Sequence, residues 1–243
     1  MTTGDAFGAL VRAWHDGGRD VHEIVERDDG FVDTSRGPEA YFEPVRKWPA
    51  VERRALRFVR GRVLDVGLGA GRVALELQRR RHEVVGIDVS PGALEVARER
   101  GVQDARLLPF HRVDPALGPI DTVVLFGNNF GLFGSRERAP RLLRRLRRLT
   151  GPGARIVAGS NDPSQTDEPA HHAYQARNRE RGRLPGHLRI RVRHGALATP
   201  WFDYLLASPE ELRALAAGTG WHVARLVEEE GSSYYVAVLE QGE

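Results

Sequence analysis

Short apolar runs alternate with helical patterns from Arg62 onward, which is the pattern of a parallel sheet covered by helices on both faces. Runs rich in branched apolar residues predict buried strands at 62–66, 83–89, 105–108, 120–126 and 155–158. Apolar positions at helical spacing predict intervening helices at 71–81, 91–100 and 135–149. The fold class predicted from this alternation is α/β, with a Rossmann-like sheet.

Both ends of the chain extend this predicted core. Runs at 188–192 and 201–206 predict an antiparallel hairpin inserted before the last helix, 208–217, and two final strands follow at 221–227 and 234–239. Residues 1–50 carry helical patterns and several aromatic side chains, which predict a helical cap packed on the core. We therefore expect a single domain over 1–243, divided into a cap, a core, an insertion and a C-terminal part at 1–50, 51–160, 161–206 and 207–243.

The composition excludes several classes of protein. Hydrophobic residues make up 41% and charged residues 28% of the 243 residues, as in globular proteins, and no run approaches a membrane span. The first ten residues show no secretory pattern, so the expected compartment is the cytoplasm. The absence of cysteine excludes disulfides and thiolate zinc sites, and the nine histidines form no metal-binding helix pattern. The net charge of only +3 gives little reason to expect nucleic acid as a partner.

The strongest chemical signal is the sequence DVGLGAG at 65–71, between the first core strand and the first core helix. Glycines let a backbone approach a ligand closely, and the N-terminus of the following helix offers N–H groups. The spacing is G-x-G-x-G, whereas the dinucleotide fingerprint would require glycine in place of Arg72. The carboxylate of Asp65 suits a ligand with a cationic amino group and would repel a pyrophosphate.

A second signal, GIDVSP at 86–91, places Asp88 at the end of the next strand. A carboxylate at this position can accept hydrogen bonds from both hydroxyls of a ribose. The two motifs together predict a nucleoside ligand.

These residues resemble the class I S-adenosylmethionine-dependent methyltransferases. VLDVGLGAG and GIDVSP resemble the first two motifs of that superfamily, and the segments IDTV at 120–123 and LTGPGARIV at 149–157 resemble its fourth strand and the approach to its fifth. The resemblance implies a seven-stranded, mostly parallel sheet with an antiparallel last strand. It also implies that S-adenosylmethionine is the cofactor. Its predicted contacts are Gly67, Gly69 and Gly71 beneath it, Asp65 at its amino end and Asp88 at its ribose, with Val89 as a further contact.

Other parts of the cofactor site are less clearly marked in the sequence. Members of the superfamily often carry an acid after the third strand for the adenine amine, but the stretch 108–111 has none. Adenine recognition then falls to the backbone and to Phe110, for which core packing is the alternative. Tyr41 in the cap is a further candidate because it lies just before the core. Gly127, Asn128 and Asn129 follow the fourth strand, where cofactor and substrate meet in such proteins, although asparagines also cap turns.

The expected reaction is an in-line displacement at the methyl group of the sulfonium, which requires alignment in a dry site. A general base is needed only if the attacking atom carries a proton. The candidates are Asp162, His171, His172 and Tyr174, each of which also fits a surface or structural role.

The cap and the insertion favour a small-molecule acceptor. We expect no contact with a membrane. The sequence leaves the oligomeric state open, and a homodimer is one possible state. The alternating Arg177, Arg179, Arg181 and Arg183 indicate a solvated loop, and they leave an RNA methyltransferase open as an alternative. A non-catalytic S-adenosylmethionine-binding protein is the other alternative.

Overall fold

The computed structural model describes residues 2–34 and 37–242. Its strands are β1 Thr2–Thr3, β2 Ile24–Arg27, β3 Val32–Thr34, β4 Val63–Val66, β5 Val84–Asp88, β6 Ala105–Leu107, β7 Ile120–Leu125, β8 Thr150–Asn161, β9 His187–His194, β10 Leu197–Ala198, β11 Phe202–Leu205, β12 Trp221–Val227 and β13 Tyr234–Gln241. Its α-helices are α1 Ala6–His15, α2 Ala50–Ala55, α3 Arg72–Arg79, α4 Pro91–Glu99, α5 Arg138–Leu149, α6 Pro169–Glu180 and α7 Pro209–Ala216.

Seven strands form the main sheet, in the order β12-β13-β8-β7-β4-β5-β6, with helices on both faces. β7 is parallel to β8 and β5 is parallel to β6, while β13 lies antiparallel between β8 and β12. The predicted fold class is therefore confirmed, including the antiparallel last strand. β8 is longer than expected because it pairs with β13 as far as Asn161.

A second sheet of six strands has the order β1-β10-β9-β2-β3, with β11 also paired to β9. The strands predicted at 188–192 and 201–206 both belong to it. The N-terminal segment contains α1, as expected of a helical cap, but also β1, β2 and β3. These strands are only two to four residues long, which is too short for a clear pattern of alternating apolar residues. β2 also pairs with the distant β9 as well as with β3, and this pairing cannot be recognised from the local sequence.

By its contacts the chain divides into two compact units. One is drawn from residues 1–48, 65–110 and 189–202, and the other from 49–64, 111–188 and 203–243. In the first unit, α1 packs on α4 through two glycines, since a Cβ on Gly92 would lie 3.0 Å from Gly8 Cα. In the second unit, α5 buries Leu142 and Leu146, and its Leu143 carbonyl accepts a 3.0 Å hydrogen bond from Trp221 Nε1.

The helix termini follow local chemistry. Ser90 caps α4 by accepting a hydrogen bond from Ala93 N, and Ser208 forms a capping box with Glu211 at the start of α7.

The sequence predicted a solvated loop for the arginine-rich stretch 177–183, but α6 continues to residue 180. We attribute the difference to the buried face of α6, which holds polar side chains in place of an apolar stripe.

Candidate functional site

The glycine-rich turn after β4 has a left-handed backbone at each predicted glycine. The φ angles of Gly67, Gly69 and Gly71 are 76°, 53° and 80°. Gly71 also lies against packed side chains, because a Cβ there would come within 2.5 Å of Val102 Cγ2. The turn is held to β5 because Gly67 N and Leu68 N each donate a 3.0 Å hydrogen bond to the carbonyl of Ile87.

Asp88 joins the glycine-rich turn to the start of the loop after β5. Its Oδ2 accepts a 2.8 Å bond from Gly69 N, and its Oδ1 accepts bonds of 2.7 and 3.0 Å from the N–H groups of Val89 and Ser90. Burial raises the pKa of the Asp88 carboxyl and the charge of Asp5 acts in the same direction, whereas the three N–H bonds oppose the shift. The sequence predicted a ribose ligand for this carboxylate; it did not reveal its second role in shaping the turn.

Two apolar side chains are exposed next to Asp88, although large exposed apolar groups are few in the described chain. Val89 is 65% exposed and follows Asp88 directly. Leu107 is 59% exposed and is the register partner of Asp88 on β6. The carboxyl ends of β5 and β6 thus present a carboxylate flanked by apolar surface, which suits a ribose joined to a flat base. Sequence analysis missed Leu107, because an apolar residue in a predicted strand is ordinarily assigned to the core.

Two further predicted residues of this unit, Asp65 and Phe110, are buried. Asp65 lies in β4, two residues before the turn, and is 2% exposed. Phe110 begins a short 3-10 helix after β6 and is 9% exposed. Both therefore lie among buried groups next to the strand ends.

Aromatic side chains of the N-terminal segment lie beside the glycine-rich turn. Phe7 and Tyr41 meet edge to face with ring centroids 5.2 Å apart, and the Tyr41 hydroxyl donates to the carboxylate of Glu23 at 2.9 Å. Phe7, Tyr41 and Phe42 pack against a buried cluster that includes one residue of the turn; its members are Val11, Ala70, Ala93 and Val96. Tyr41 thus lies next to the predicted cofactor loop.

Arg100 fastens this aromatic group to the turn. Its guanidinium lies over the ring of Phe42, 4.6 Å from the centroid. Its Nη1 donates to the carbonyl of Ala70 and, at 3.3 Å, to that of Tyr41. Burial lowers the pKa of Arg100.

Asp5 is a residue of this region that sequence analysis missed. It caps α1 by accepting a 2.8 Å bond from Gly8 N, and it also accepts bonds from Ser90 Oγ at 2.8 Å and Gly92 N at 2.9 Å. The carboxylate therefore links the first helix of the chain to the start of α4. Its only local signal is an acid placed directly before a helix.

In the second unit, the loop after β7 contains the predicted Gly127, Asn128 and Asn129. The φ angles of Gly127 and Asn128 are both positive, at 65° and 70°. A positive φ is ordinary for glycine but unusual for a residue with a side chain, such as Asn128. Asn128 is fixed on both sides: its Oδ1 accepts from Asn161 N at 3.0 Å, and its carbonyl accepts from the Tyr204 hydroxyl at 2.6 Å. Asn129 begins a 3-10 helix.

A buried carboxylate lies next to this loop. Glu52, in α2, is only 1% exposed. Its Oε1 accepts a 2.8 Å bond from Gly127 N and a 2.7 Å bond from the hydroxyl of Tyr234, the first residue of β13. Sequence analysis missed both Glu52 and Tyr234.

Of the predicted candidates for a general base, Asp162 directly follows β8, and the other three lie on α6. His171 is half-buried, with Nδ1 3.0 Å from Thr166 Oγ1, and His172 is exposed. Tyr174 is 6% exposed, and the Arg177 guanidinium lies 5.4 Å from its ring centroid.

Clustered metal ligands and membrane-spanning helices are both lacking over residues 2–34 and 37–242. In these ranges no group of three or more histidine or acidic side chains could hold a metal ion. No helix of the described chain is both long and apolar enough to cross a membrane.

Comparisons with known proteins point to one class. A family model described as a methyltransferase domain matches residues 63–153. Magnesium-protoporphyrin O-methyltransferase of Rhodobacter capsulatus is 42% identical over 67 residues, which is 26% of this chain and 30% of that protein. The tabtoxin biosynthesis enzyme of Pseudomonas amygdali pv. tabaci is 25% identical over 68% of this chain and 64% of its own length. The chain thus spans less than two thirds of each of these curated relatives.

A solved structure matches nearly the whole chain. The S-adenosylmethionine-dependent methyltransferase of Bacteroides fragilis, in complex with S-adenosyl-L-homocysteine, has a TM-score of 0.82 and 26% identity. The match covers 98% of this chain and 95% of that one.

The sheet, the glycine-rich turn and the aspartate at the end of β5 are features of α/β proteins that bind a nucleoside at the carboxyl ends of their strands. The comparisons specify which kind it is. Residues 63–153 match the family of methyltransferase domains, and nearly the whole chain is similar to an S-adenosylmethionine-dependent methyltransferase, a class of protein whose cofactor is S-adenosylmethionine.

Proposed function

We propose that this protein transfers the methyl group of S-adenosylmethionine to a small-molecule acceptor by in-line displacement. The observation that carries the proposal is Asp88, which lies at the end of β5, binds the glycine-rich turn and is flanked by exposed Val89 and Leu107. A carboxylate between apolar surfaces suits the ribose and base of an adenosine. The likeness to the Bacteroides fragilis protein bound to S-adenosyl-L-homocysteine supports the same cofactor here.

The proposed cofactor contacts are divided by chemistry. Asp65 is proposed for the amino end, because a carboxylate attracts a cationic ammonium group. Asp88 is proposed for the ribose, and the apolar pair Val89 and Leu107 for the adenine. The remaining proposed contacts are Tyr41, Gly67, Gly69, Gly71, Phe110, Gly127, Asn128 and Asn129.

Two features support a small acceptor. The names of the curated relatives refer to magnesium-protoporphyrin and to tabtoxin biosynthesis, so both are associated with small molecules. The second sheet and α6 are additional to the central sheet, and such additions commonly enclose small substrates. The proposed compartment is the cytoplasm.

The test is methyl transfer from methyl-tritiated S-adenosylmethionine into an extract of small metabolites, with a nuclease-treated sample alongside. We expect the label in the small-molecule fraction and a rate that changes little with salt. The exposed arginines of the stretch 177–183 are the feature that favours RNA as the alternative acceptor. Label recovered on nucleotides, with binding that weakens steeply as salt rises, would contradict the small-molecule proposal.

A further inference from the structure

Tyr234 has a hydroxyl group at the carboxyl ends of two parallel strands. As the first residue of β13, it is the register partner of Asn161, the last residue of β8. Its hydroxyl oxygen is 3.2 Å from Gly127 N, in the loop that follows β7. Ligands of α/β sheets bind at such strand ends. The hydroxyl is therefore in the region where an acceptor is expected.

The space for this hydroxyl depends on a glycine in β8. A Cβ on Gly159 would lie 2.1 Å from the Tyr234 oxygen, so no other residue leaves room for it there. Tyr234 itself is half-buried, while Gly127 beside it is exposed. The ring is thus held in place and the hydroxyl lies near solvent-accessible backbone.

Glu52 orients the hydroxyl from the interior. Helix α2 packs on β13, and Glu52 Oε1 accepts the Tyr234 hydroxyl proton at 2.7 Å and the Gly127 N–H at 2.8 Å. Glu52 is 1% exposed, and burying a charged carboxylate is costly unless hydrogen bonds compensate for the lost water. Glu52 Oε1 is therefore in position to receive the hydroxyl proton of Tyr234 directly along this hydrogen bond.

We infer that Tyr234 is the catalytic residue that accepts a proton from the methyl acceptor, and that Glu52 is the positioning residue that receives the proton of Tyr234. The inference rests on the proposed methyl transfer and adds to it the class of acceptor. The attacking atom is an oxygen or nitrogen that carries a proton, as in a phenol, an alcohol or an amine.

The proposed step balances in atoms and charge. The acceptor oxygen or nitrogen forms a bond to the methyl carbon as the carbon–sulfur bond of the sulfonium breaks. The acceptor proton passes to Tyr234 Oη, and the phenol proton passes to Glu52 Oε1. A cationic sulfonium and an anionic carboxylate thereby become a neutral thioether, S-adenosylhomocysteine, and a neutral carboxylic acid.

The test compares Tyr234→Phe and Glu52→Gln with the wild-type protein, using methyl-tritiated S-adenosylmethionine and the metabolite extract. Each variant keeps the shape of its side chain. We expect each to lower the transfer rate by about 10²- to 10⁴-fold, the usual contribution of general base catalysis. The affinity for S-adenosylhomocysteine, measured by calorimetry, should stay at the wild-type value. The double variant should be about as slow as either single one, because the two residues act as a unit.

Tyr235→Phe is the matched control. Tyr235 is the next residue of β13 and faces the opposite side of the sheet, where its hydroxyl donates a 2.7 Å bond to the carbonyl of Ala207. This variant also loses one tyrosine hydroxyl bond and should transfer methyl groups at the wild-type rate. The solvent deuterium isotope effect on the transfer step should be present in the wild-type protein and in Tyr235→Phe, and lost in Tyr234→Phe.

The outcomes separate the inference from the proposed function. A wild-type rate in Tyr234→Phe, or a loss of cofactor affinity that accounts for the whole loss of rate, would overturn the inference alone. No transfer by the wild-type protein to any metabolite would overturn the proposed function, and the inference with it.

Discussion

Gly69→Ala separates the cofactor-binding role of the glycine-rich turn from its structural role. Gly69 has φ of 53°, and a Cβ there would have only the ring of Phe7 within 4 Å, at 3.7 Å. That distance is an ordinary contact, so the methyl group meets no steric obstacle in the protein. It does enter the space between the turn and Phe7, next to the proposed cofactor site.

The cost to stability follows from the backbone alone. An L-residue in the left-handed region is disfavoured by about 1 to 2 kcal/mol. Gly195 gives a matched control, because its φ is 54° and a Cβ there would meet nothing within 4 Å. Gly69→Ala and Gly195→Ala should therefore lower the free energy of unfolding by similar amounts.

Binding should distinguish the two variants. If the cofactor lies against the turn, Gly69→Ala should weaken the binding of S-adenosylhomocysteine at least about tenfold, or about 1.4 kcal/mol. Gly195→Ala should bind as the wild-type protein does. The assays are urea denaturation for stability and calorimetric titration for affinity. Equal affinity in the two variants would refute the proposed position of the cofactor.

Three further results are expected. Gly71→Ala should lower the free energy of unfolding by about 2 to 5 kcal/mol, because left-handed strain adds to a 2.5 Å clash with Val102; an unchanged urea midpoint would contradict this. Asp88→Asn should weaken S-adenosylhomocysteine binding at least about tenfold by calorimetry, because a hydrogen bond to a charged group contributes about 1.5 to 3 kcal/mol; wild-type affinity would remove Asp88 from the site. Affinity should also fall as the pH is lowered from neutral, because burial and Asp5 raise the pKa of Asp88 and protonation weakens it as an acceptor. A wild-type affinity that does not change on acidification would argue against the ribose contact.

The raised pKa has the opposite sign for folding. Since the folded protein holds the Asp88 proton more tightly than the unfolded chain, the contribution of this group to stability is present at low pH. It is lost as the pH rises through the folded-state pKa. Acid should therefore weaken cofactor binding through Asp88 without destabilising the fold through the same group.

The central sheet could be predicted from the sequence because its strands are continuous buried runs, such as β4 and β7. The glycine-rich turn was recognisable for a related reason: its glycines adopt angles that other residues avoid. Helix α6 was not predicted, because its buried face includes Gln175 and Asn178, which bond to the carbonyls of Pro163 and Pro185. Those bonds exist only in the folded chain.

Four residues of the candidate site could not be predicted from local sequence patterns. Glu52 and Tyr234 are 182 residues apart, and neither belongs to a motif. Leu107 and Asp5 each lie in a segment that an ordinary structural role explains. Their relevance follows from which groups the fold brings beside them, and that information is not contained in the spacing of any single segment.

The most direct test of the central claim is a calorimetric titration of the full chain with S-adenosyl-L-homocysteine and, separately, with NAD. The G-x-G-x-G spacing and Asp65 predict saturable binding of S-adenosyl-L-homocysteine and no binding of NAD. Saturable binding of NAD, with no heat from S-adenosyl-L-homocysteine, would contradict the account.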